Sequence, residues 1–322
     1  MRTRVNEPGP TAHRTLSRSG PARESRSSGA VESERPYWLF VLPAAIAVLT
    51  LIVVPLVYAF VLSLRHFNLN LGTDAPAGLS NYVRALTSDP QFYAALLRTF
   101  LYVGIVVSLD FALGFGQALL LYSLKPRLAS FFRGVFLLPI LVIPAASATF
   151  WRLIMYGAPN VELYRATGLY GLLPPPLGDL GLAFPAIILT VWWAWSPWVF
   201  LLLLGGLEGL DRSVIEAAEV DGAKYRQVVY HIIVPLMKPV IFVTLAFKAV
   251  DSFLTFDFVW IMTGGGPGDA TQVASTYIYR SALWQLDYGY GAAMSMIMLV
   301  VSAVLSIAAV LYWQRSHPVE AT

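Results

Sequence analysis

Leu210-Asp-Arg-Ser-Val-Ile-Glu-Ala-Ala-Glu-Val-Asp-Gly-Ala-Lys-Tyr-Arg-Gln-Val-Val-Tyr-His-Ile-Ile-Val-Pro-Leu236 lies between two long apolar runs and carries a pattern of its own. Ser213 followed three residues later by Glu216 is a capping box, which predicts a helix start. Ala217 and Ala218 are small and let another backbone approach. Gly222 then breaks the helical register or allows a sharp bend. Beyond it Tyr225, Val228, Val229, Ile232 and Ile233 recur at helical spacing and make one apolar face. Pro235 and Pro239 are expected to end that second helix. On pattern alone, the segment serves equally as an interfacial helix on lipid headgroups or as a docking element for another protein.

Working outward, the flanking sequence is too apolar for a soluble protein. Of 322 residues, 57% are apolar or aromatic and 13% charged, against about 45–50% and about 25% in soluble chains; the mean hydropathy is +0.63. Such a chain cannot cover itself with charge and needs lipid. Six stretches are each long enough to cross a ~30 Å hydrocarbon core, which takes about 20 helical residues: Tyr37–Leu64, Leu96–Leu124, Phe131–Met155, Phe184–Leu207, Val240–Met262 and Ala292–Trp313. Barrel-type strands of alternating polarity are absent, so the spans are helices. The expected fold is an all-α polytopic membrane protein of six transmembrane helices, with the quoted loop between the fourth and fifth. Pro43, Pro55, Pro139, Pro144 and Pro197 are expected to kink their spans rather than end them.

Orientation follows from the basic residues. With the N-terminus inside, the tail holds seven arginines, the second-to-third connection three basic residues, the fourth-to-fifth four and the C-terminus one, against six on the other side. The excess lies inside, so both termini are expected in the cytoplasm. Topology thus explains the pI near 9.0, and no nucleic-acid partner is needed. Residues 1–36, rich in Arg, Ser, Gly, Pro and Glu, are expected to be a disordered cytoplasmic tail. They are not a cleavable signal peptide, because the apolar run that follows is far longer than an h-region. Residues 37–313 form the membrane domain and 314–322 a short cytoplasmic end. The outside connections carry Leu173-Pro-Pro-Pro-Leu177 and Thr263-Gly-Gly-Gly-Pro-Gly-Asp269. With no cysteine and four scattered histidines, disulfides, thiolate chemistry and a histidine metal site are excluded.

The order Glu216-Ala217-Ala218, three residues, Gly222, nine residues, Ile232, one residue, Val234-Pro235 resembles the EAA loop of ABC-importer permeases, with Val234 in place of the usual Leu. The resemblance implies that about Val214–Tyr225, within a loop of about residues 208–239, is a coupling helix seated in a groove of a cytosolic ATPase. Glu216, Ala217, Ala218, Asp221, Gly222, Ile232 and Pro235 would be the coupling residues. Phe256-Asp257 through Gly268, Thr271, Tyr277-Ile-Tyr279 and Gly289-Tyr290-Gly-Ala-Ala293 look like the sugar-importer, MalF-type branch. This second likeness implies a MalG-type permease partner, an ATPase dimer and an extracytoplasmic solute-binding protein, in the cell membrane of a prokaryote. The large outside domain and two N-terminal spans of the maltose-system member have no counterpart here.

A charge at the bilayer centre costs about 2.5–3.5 kcal/mol on insertion scales, so Asp110, Lys248, Asp251 and Asp257, all placed within predicted spans, need explanation. Lys248 and Asp251, three residues apart, can pair on one helix, either as a structural clasp or as polar lining of a substrate path. Asp257, in the outer half of the predicted fifth span, suits a polyol hydroxyl or simply a helix end. Trp192-Trp-Ala-Trp-Ser-Pro-Trp198 sits near mid-span, where indoles can pack on sugar faces or fill space beside Pro197. Trp195 and Trp198 are the candidates for sugar contact. Gly264–Gly268 is not a phosphate loop, since it lacks the Lys-Ser/Thr pair and a preceding strand. No catalytic residue, metal site or cofactor is expected, and ATP chemistry must come from a partner. Few central cations argue against a phosphorylated substrate. The rival reading is an ion-gradient-driven secondary transporter that uses Asp110, Asp251 or Lys248 as a relay.

Overall fold

The computed structural model describes residues 38–156, 162, 165–167 and 175–316. The expectations for the tail, for part of the Leu173–Leu177 run and for the last six residues lie outside these. The chain divides into two units, Met1–Val53 and Val54–Thr322. In the first, helix α1 (Trp38–Val48) contains Pro43 and is followed by a π turn, Leu49–Val53.

The second unit opens with α2 (Val54–Ser63) and an antiparallel hairpin, β1 (Arg65–Asn68) and β2 (Thr73–Pro76), with Arg65 opposite Pro76. After α3 (Ser80–Thr87) comes α4 (Pro90–Ser123). Asp89 caps α4: its Oδ1 accepts from the backbone N–H groups of Gln91 and Phe92, both at 3.0 Å. Pro90 follows at the first helical position, where its missing N–H costs nothing.

Helix α7 (Ala183–Glu208) packs closely along α4. At Gly114 of α4, a Cβ would stand 2.9 Å from the Phe200 backbone nitrogen, so only glycine allows this approach. The Trp192 indole N–H donates to the Leu109 carbonyl at 2.9 Å and fastens the same two helices. Pro197 lies inside α7 without ending it.

The third apolar stretch behaves differently. It is α5 (Pro126–Leu137), a 3₁₀ turn at Pro139–Leu141 and α6 (Pro144–Tyr156), so Pro139 and Pro144 break the helix rather than kink it. Two prolines five residues apart remove two donors within little more than one turn of helix. Among the described residues, five helices are long and apolar enough to cross a membrane: Val41–Ser63, Pro90–Ser123, Ala183–Glu208, Tyr225–Phe253 and Tyr288–Arg315.

The fifth apolar stretch is also shifted from its expected register. Helix α9 (Tyr225–Val228), a π turn (Val229–Ile233) and α10 (Val234–Phe253) run on as one span. Pro235 and Pro239 therefore do not end the amphipathic helix. In the π turn the Val234 N–H reaches the Val229 carbonyl, and this wider turn clears the backbone ahead of the Pro235 ring. The same order, a π turn and then Val-Pro-Leu, occurs at Leu49–Val53 before Val54-Pro55-Leu56. The span stops at Phe253, and α11 (Asp257–Thr263) is a separate short helix.

After α12 (Ala274–Tyr279) and a π turn at Arg280–Trp284, α13 (Tyr288–Ser316) closes the chain. Gly289 at its start lies so close to β1 that a Cβ would fall on the Arg65 carbonyl. Outward faces such as Val300, Val304 and Ile307 of α13 stay exposed, as lipid-facing residues do.

Candidate functional site

The cytoplasm-predicted loop is built around Asp211, Ile215 and Gly222. Asp211, in extended conformation, caps α8 (Arg212–Val220) by accepting from the Ser213 N–H at 2.9 Å. Hydrogen bonds from Ser213 hold its carboxyl below the usual carboxylate range. The expected capping box at Ser213 and Glu216 does not form. A better acceptor stands two residues earlier, which leaves Glu216 deep in the helix and unable to reach back.

Ile215 is the buried residue of α8 and packs in one cluster with Leu207, Val228, Val229, Ile233 and Met237. Arg212 lies over the Tyr122 ring at 5.5 Å, and an Arg133–Glu208 ion pair joins α5 to the end of α7. Glu216, Ala217, Asp221 and Gly222 are exposed, and Ala218 is half-buried. The helix closes by a Schellman motif: Gly222 N–H to the Glu219 carbonyl and Ala223 N–H to the Ala218 carbonyl, both 3.0 Å. Gly222 is left-handed at φ +81°, and a Cβ there would meet nothing within 4 Å. Glycine is thus required by the turn and not by crowding inside this chain. Asp221, Gly222 and Ile232, with Ala223, Gln227 and His231, line a surface cavity of about 390 Å³. Pro235 is exposed just beyond it.

A second cavity, of about 170 Å³, lies where α10 breaks off. Leu254 and Thr255 turn the chain with N–H bonds to the Asp251 and Ser252 carbonyls, both at 3.2 Å, before α11 begins. Irregular backbone at membrane depth is tolerated where it lines a cavity. The walls include Trp195, Lys248, Asp251, Ser252, Thr255 and Asp257. Pro144, at the break before α6, lines this cavity and a smaller neighbouring one of about 50 Å³, and both share Trp195. The two helix breaks thus meet at one indole.

The expected Lys248–Asp251 pair forms at 3.3 Å, and a third member joins it: Asp110 of α4 stands 3.5 Å from the same ammonium. The Lys248 Nζ also lies 5.0 Å from the Trp195 ring centroid. Asp257, expected in the outer half of the fifth span, instead lies past the end of that span at Phe253, as the exposed first residue of α11, where it lines the cavity. Trp198 does not line the cavity; it stacks on Phe247 at 5.0 Å. Of the other two indoles, Trp192 bonds Leu109 and Trp193 meets Trp151 edge-on.

Several contacts of this region join residues far apart in the sequence, so local pattern did not give their partners. Asp110 pairs across 138 positions, and Tyr102 meets Thr255 at 3.2 Å from α4. At the other end of α4, Asp89 accepts from the hydroxyls of Tyr277 at 2.7 Å and Tyr290 at 2.6 Å, tying α4 to α12 and α13. Burial pushes the Asp89 carboxyl up, but these two hydroxyls and the Phe92 and Gln91 N–H groups carry it below its ordinary value. Its signal was the Asp-Pro pair at a helix start. Among the described residues no group of three or more His, Asp or Glu could hold a metal ion.

Residues 112–316 match the family model described as the binding-protein-dependent transport system inner membrane component. A probable ABC transporter permease protein of Sinorhizobium fredii is 36% identical over 85% of this chain and 88% of its own length. The trehalose/maltose transport system permease protein MalF of Thermococcus litoralis is 35% identical over 82% of this chain and 88% of its own. Among solved structures, a bacterial ABC transporter involved in import of the acidic polysaccharide alginate has the same fold, with a TM-score of 0.74, 20% identity, and 87% and 95% of the two chains covered. Members of this family are permease subunits and not enzymes, since separate subunits hydrolyse ATP. The chain belongs to the binding-protein-dependent inner-membrane components of ABC importers, as a multi-pass permease of the sugar-uptake kind.

Proposed function

We propose that this chain forms half of the translocation path of an ATP-driven importer for a sugar or related polyol, and that its EAA loop couples the path to a cytosolic ATPase. One observation carries the reading. Tyr225–Phe253 runs as a single span from the Gly222 bend to the cavity at Asp251 and Ser252. The exposed face of α8, the Schellman turn and the adjoining surface cavity suit insertion into a groove of a partner. The small residues Ala217 and Ala218 permit close approach, while Ile215 anchors the helix to the bundle. In the cavity, Trp195 offers a stacking surface and Asp251 and Asp257 accept hydroxyl hydrogen bonds.

The assembly in this reading has a second, MalG-type permease, two ATPase subunits and an extracytoplasmic binding protein, in a prokaryotic cell membrane. The family description itself favours the binding protein. In this reading the chain crosses six times, with α5, the Pro139–Leu141 turn and α6 together as a broken third crossing, and the excess of basic residues puts both termini in the cytoplasm. ATP closes the ATPase dimer, the coupling helices move with it, and the two bundles rock to open the path outward; hydrolysis resets it. Relatives carry names that span trehalose/maltose and an acidic polysaccharide, so kinship leaves the substrate's charge open.

The test is purification in mild detergent through a C-terminal tag, followed by uptake assays. A nucleotide-binding subunit and a second permease should co-purify, and the Glu216→Ala/Gly222→Trp double variant should reduce both while leaving insertion intact. Normal uptake in Gly222→Trp, or uptake that collapses with the ion gradient while ATP stays high, would overturn the coupling assignment and return attention to an ion-driven transporter.

A further inference from the structure

We infer that the cavity passes an uncharged saccharide, and that Asp110 is a positioning residue that sets this selectivity by holding Lys248 away from the ligand. The inference deepens the importer reading and rests on it.

The argument starts from where the charges stand. The cavity wall carries two acidic side chains, Asp251 and Asp257, and one basic side chain, Lys248. The ammonium is fully engaged. Asp251 Oδ2 lies at 3.3 Å, Asp110 Oδ2 at 3.5 Å, and the Trp195 ring centroid at 5.0 Å. Asp251 accepts a hydrogen bond from the ammonium, Asp110 faces it at ion-pair distance, and the Trp195 ring lies beneath it. Lys248 is 2% exposed. A carboxylate or sulfonate on a sugar would meet two carboxylates and no free cation, and would lose its hydration without replacement.

A polyol fits the same wall. Asp251, with 44% of its side chain exposed, is acceptor-only and takes hydroxyl donors. Ser252 lines the cavity, and a turn of its buried Oγ, which makes no hydrogen bond, would bring that hydroxyl to the opening. A buried hydroxyl without a partner is costly, and a sugar hydroxyl, which both donates and accepts, supplies one.

Asp110 has a distinct place in this arrangement. It lies behind Lys248 on α4, does not line the cavity and is 0% exposed. Neither of its oxygens makes a hydrogen bond. A carboxylate so placed is balanced through the ammonium it faces. Without it Lys248 would be held by Asp251 alone, at the cavity edge, and could turn to an incoming anion. A purely structural clasp between α4 and α10 would stabilise the bundle but would leave the choice between neutral and acidic sugars unmoved.

The test uses the assembled importer in detergent without its binding protein, so that only the membrane path selects. It is titrated with a panel of neutral disaccharides (maltose, trehalose, lactose) and with digalacturonic acid at fixed ionic strength. The readout is the tryptophan fluorescence change that disappears in Trp195→Phe. Wild type should respond to a neutral disaccharide and not to the acid. Asp110→Asn should lower the acid's midpoint on the order of tenfold or more, the scale of one charge-assisted hydrogen bond, and leave the neutral midpoint in place. Asp251→Asn should produce the same gain without a change in the buried interior. Asp110→Leu/Lys248→Met, which removes both charges, should assemble and gain nothing for the acid. A wild-type response to the acid as strong as to the neutral sugars overturns the inference. So does the absence of any gain in assembled Asp110→Asn, whatever Asp251→Asn does. If no saccharide gives a Trp195-dependent signal, the cavity's role as a sugar path falls together with the inference.

Discussion

The Tyr290 hydroxyl donates to Oδ2 of Asp89 at 2.6 Å, across 201 positions of sequence. Tyr277 donates to the same oxygen, while Oδ1 caps α4, so one carboxylate fastens three helices. Asp89→Asn weakens charge-assisted hydrogen bonds and is expected to cost about 1.5–3 kcal/mol, seen as a lower melting temperature in detergent. The pH dependence has a definite sign. The folded carboxyl lies below its ordinary value of 3.8, so its stabilisation is present above that pH and is lost as pH falls through the lower, folded value. The gap between wild type and Asp89→Asn should stay constant from neutral pH down to about 5 and narrow only below about 4. A gap that closes by pH 6 would contradict the arrangement.

In the proposed coupling loop, variants at Gly222 and Glu216 test folding and coupling separately. Gly222→Ala places a Cβ on a left-handed residue, at about 1–2 kcal/mol, whereas Asn tolerates that conformation. Hydrogen exchange at Ala223, whose N–H closes the Schellman turn, should rise about tenfold in Gly222→Ala and little in Gly222→Asn. Glu216→Ala, at an exposed position, should leave stability within about 0.5 kcal/mol and change only behaviour that needs the ATPase.

Ile215→Ala removes the buried anchor of α8 and should cost about 2–5 kcal/mol of its packing. Limited proteolysis should then cut within α8 while α4 and α7 stay protected. Equal resistance in wild type and variant would show that α8 is held otherwise.

Two glycines on α4 make a paired prediction. Gly114→Ala pushes a methyl against the Phe200 backbone and should lower stability by about 1–3 kcal/mol. Gly116→Ala meets nothing within 4 Å and should fold as wild type or slightly better. Similar melting temperatures for the two variants would refute the close α4–α7 contact.

The chain's local patterns announced its elements better than their joints. The bend at Gly222 and the apolar face at Val228, Val229 and Ile233 followed from spacing, because both are set by residues within a few turns. Helix ends near prolines did not follow. Pro235 is absorbed by a π turn, whereas Pro139 and Pro144 break their stretch, and the difference lies in backbone geometry that composition does not encode. The Lys248–Asp251 pair was readable at three residues' spacing. Its third member, Asp110, was visible only as an unexplained membrane charge, because its partner comes from another helix.

The π turn before Pro235 has a mechanical consequence. It keeps Tyr225–Phe253, 29 residues, as one rod about 43 Å long at 1.5 Å per residue. A helix is stiff along its axis, so a displacement of the end three residues past Gly222 is expected to be carried along the helix toward Asp251 and Ser252. No side-chain relay is required between the two ends. A spin label near Asp251 should therefore report motion imposed at the bend in step with one placed at Tyr225, and a proline substitution that severs the rod between them should silence the first label while leaving the second in motion.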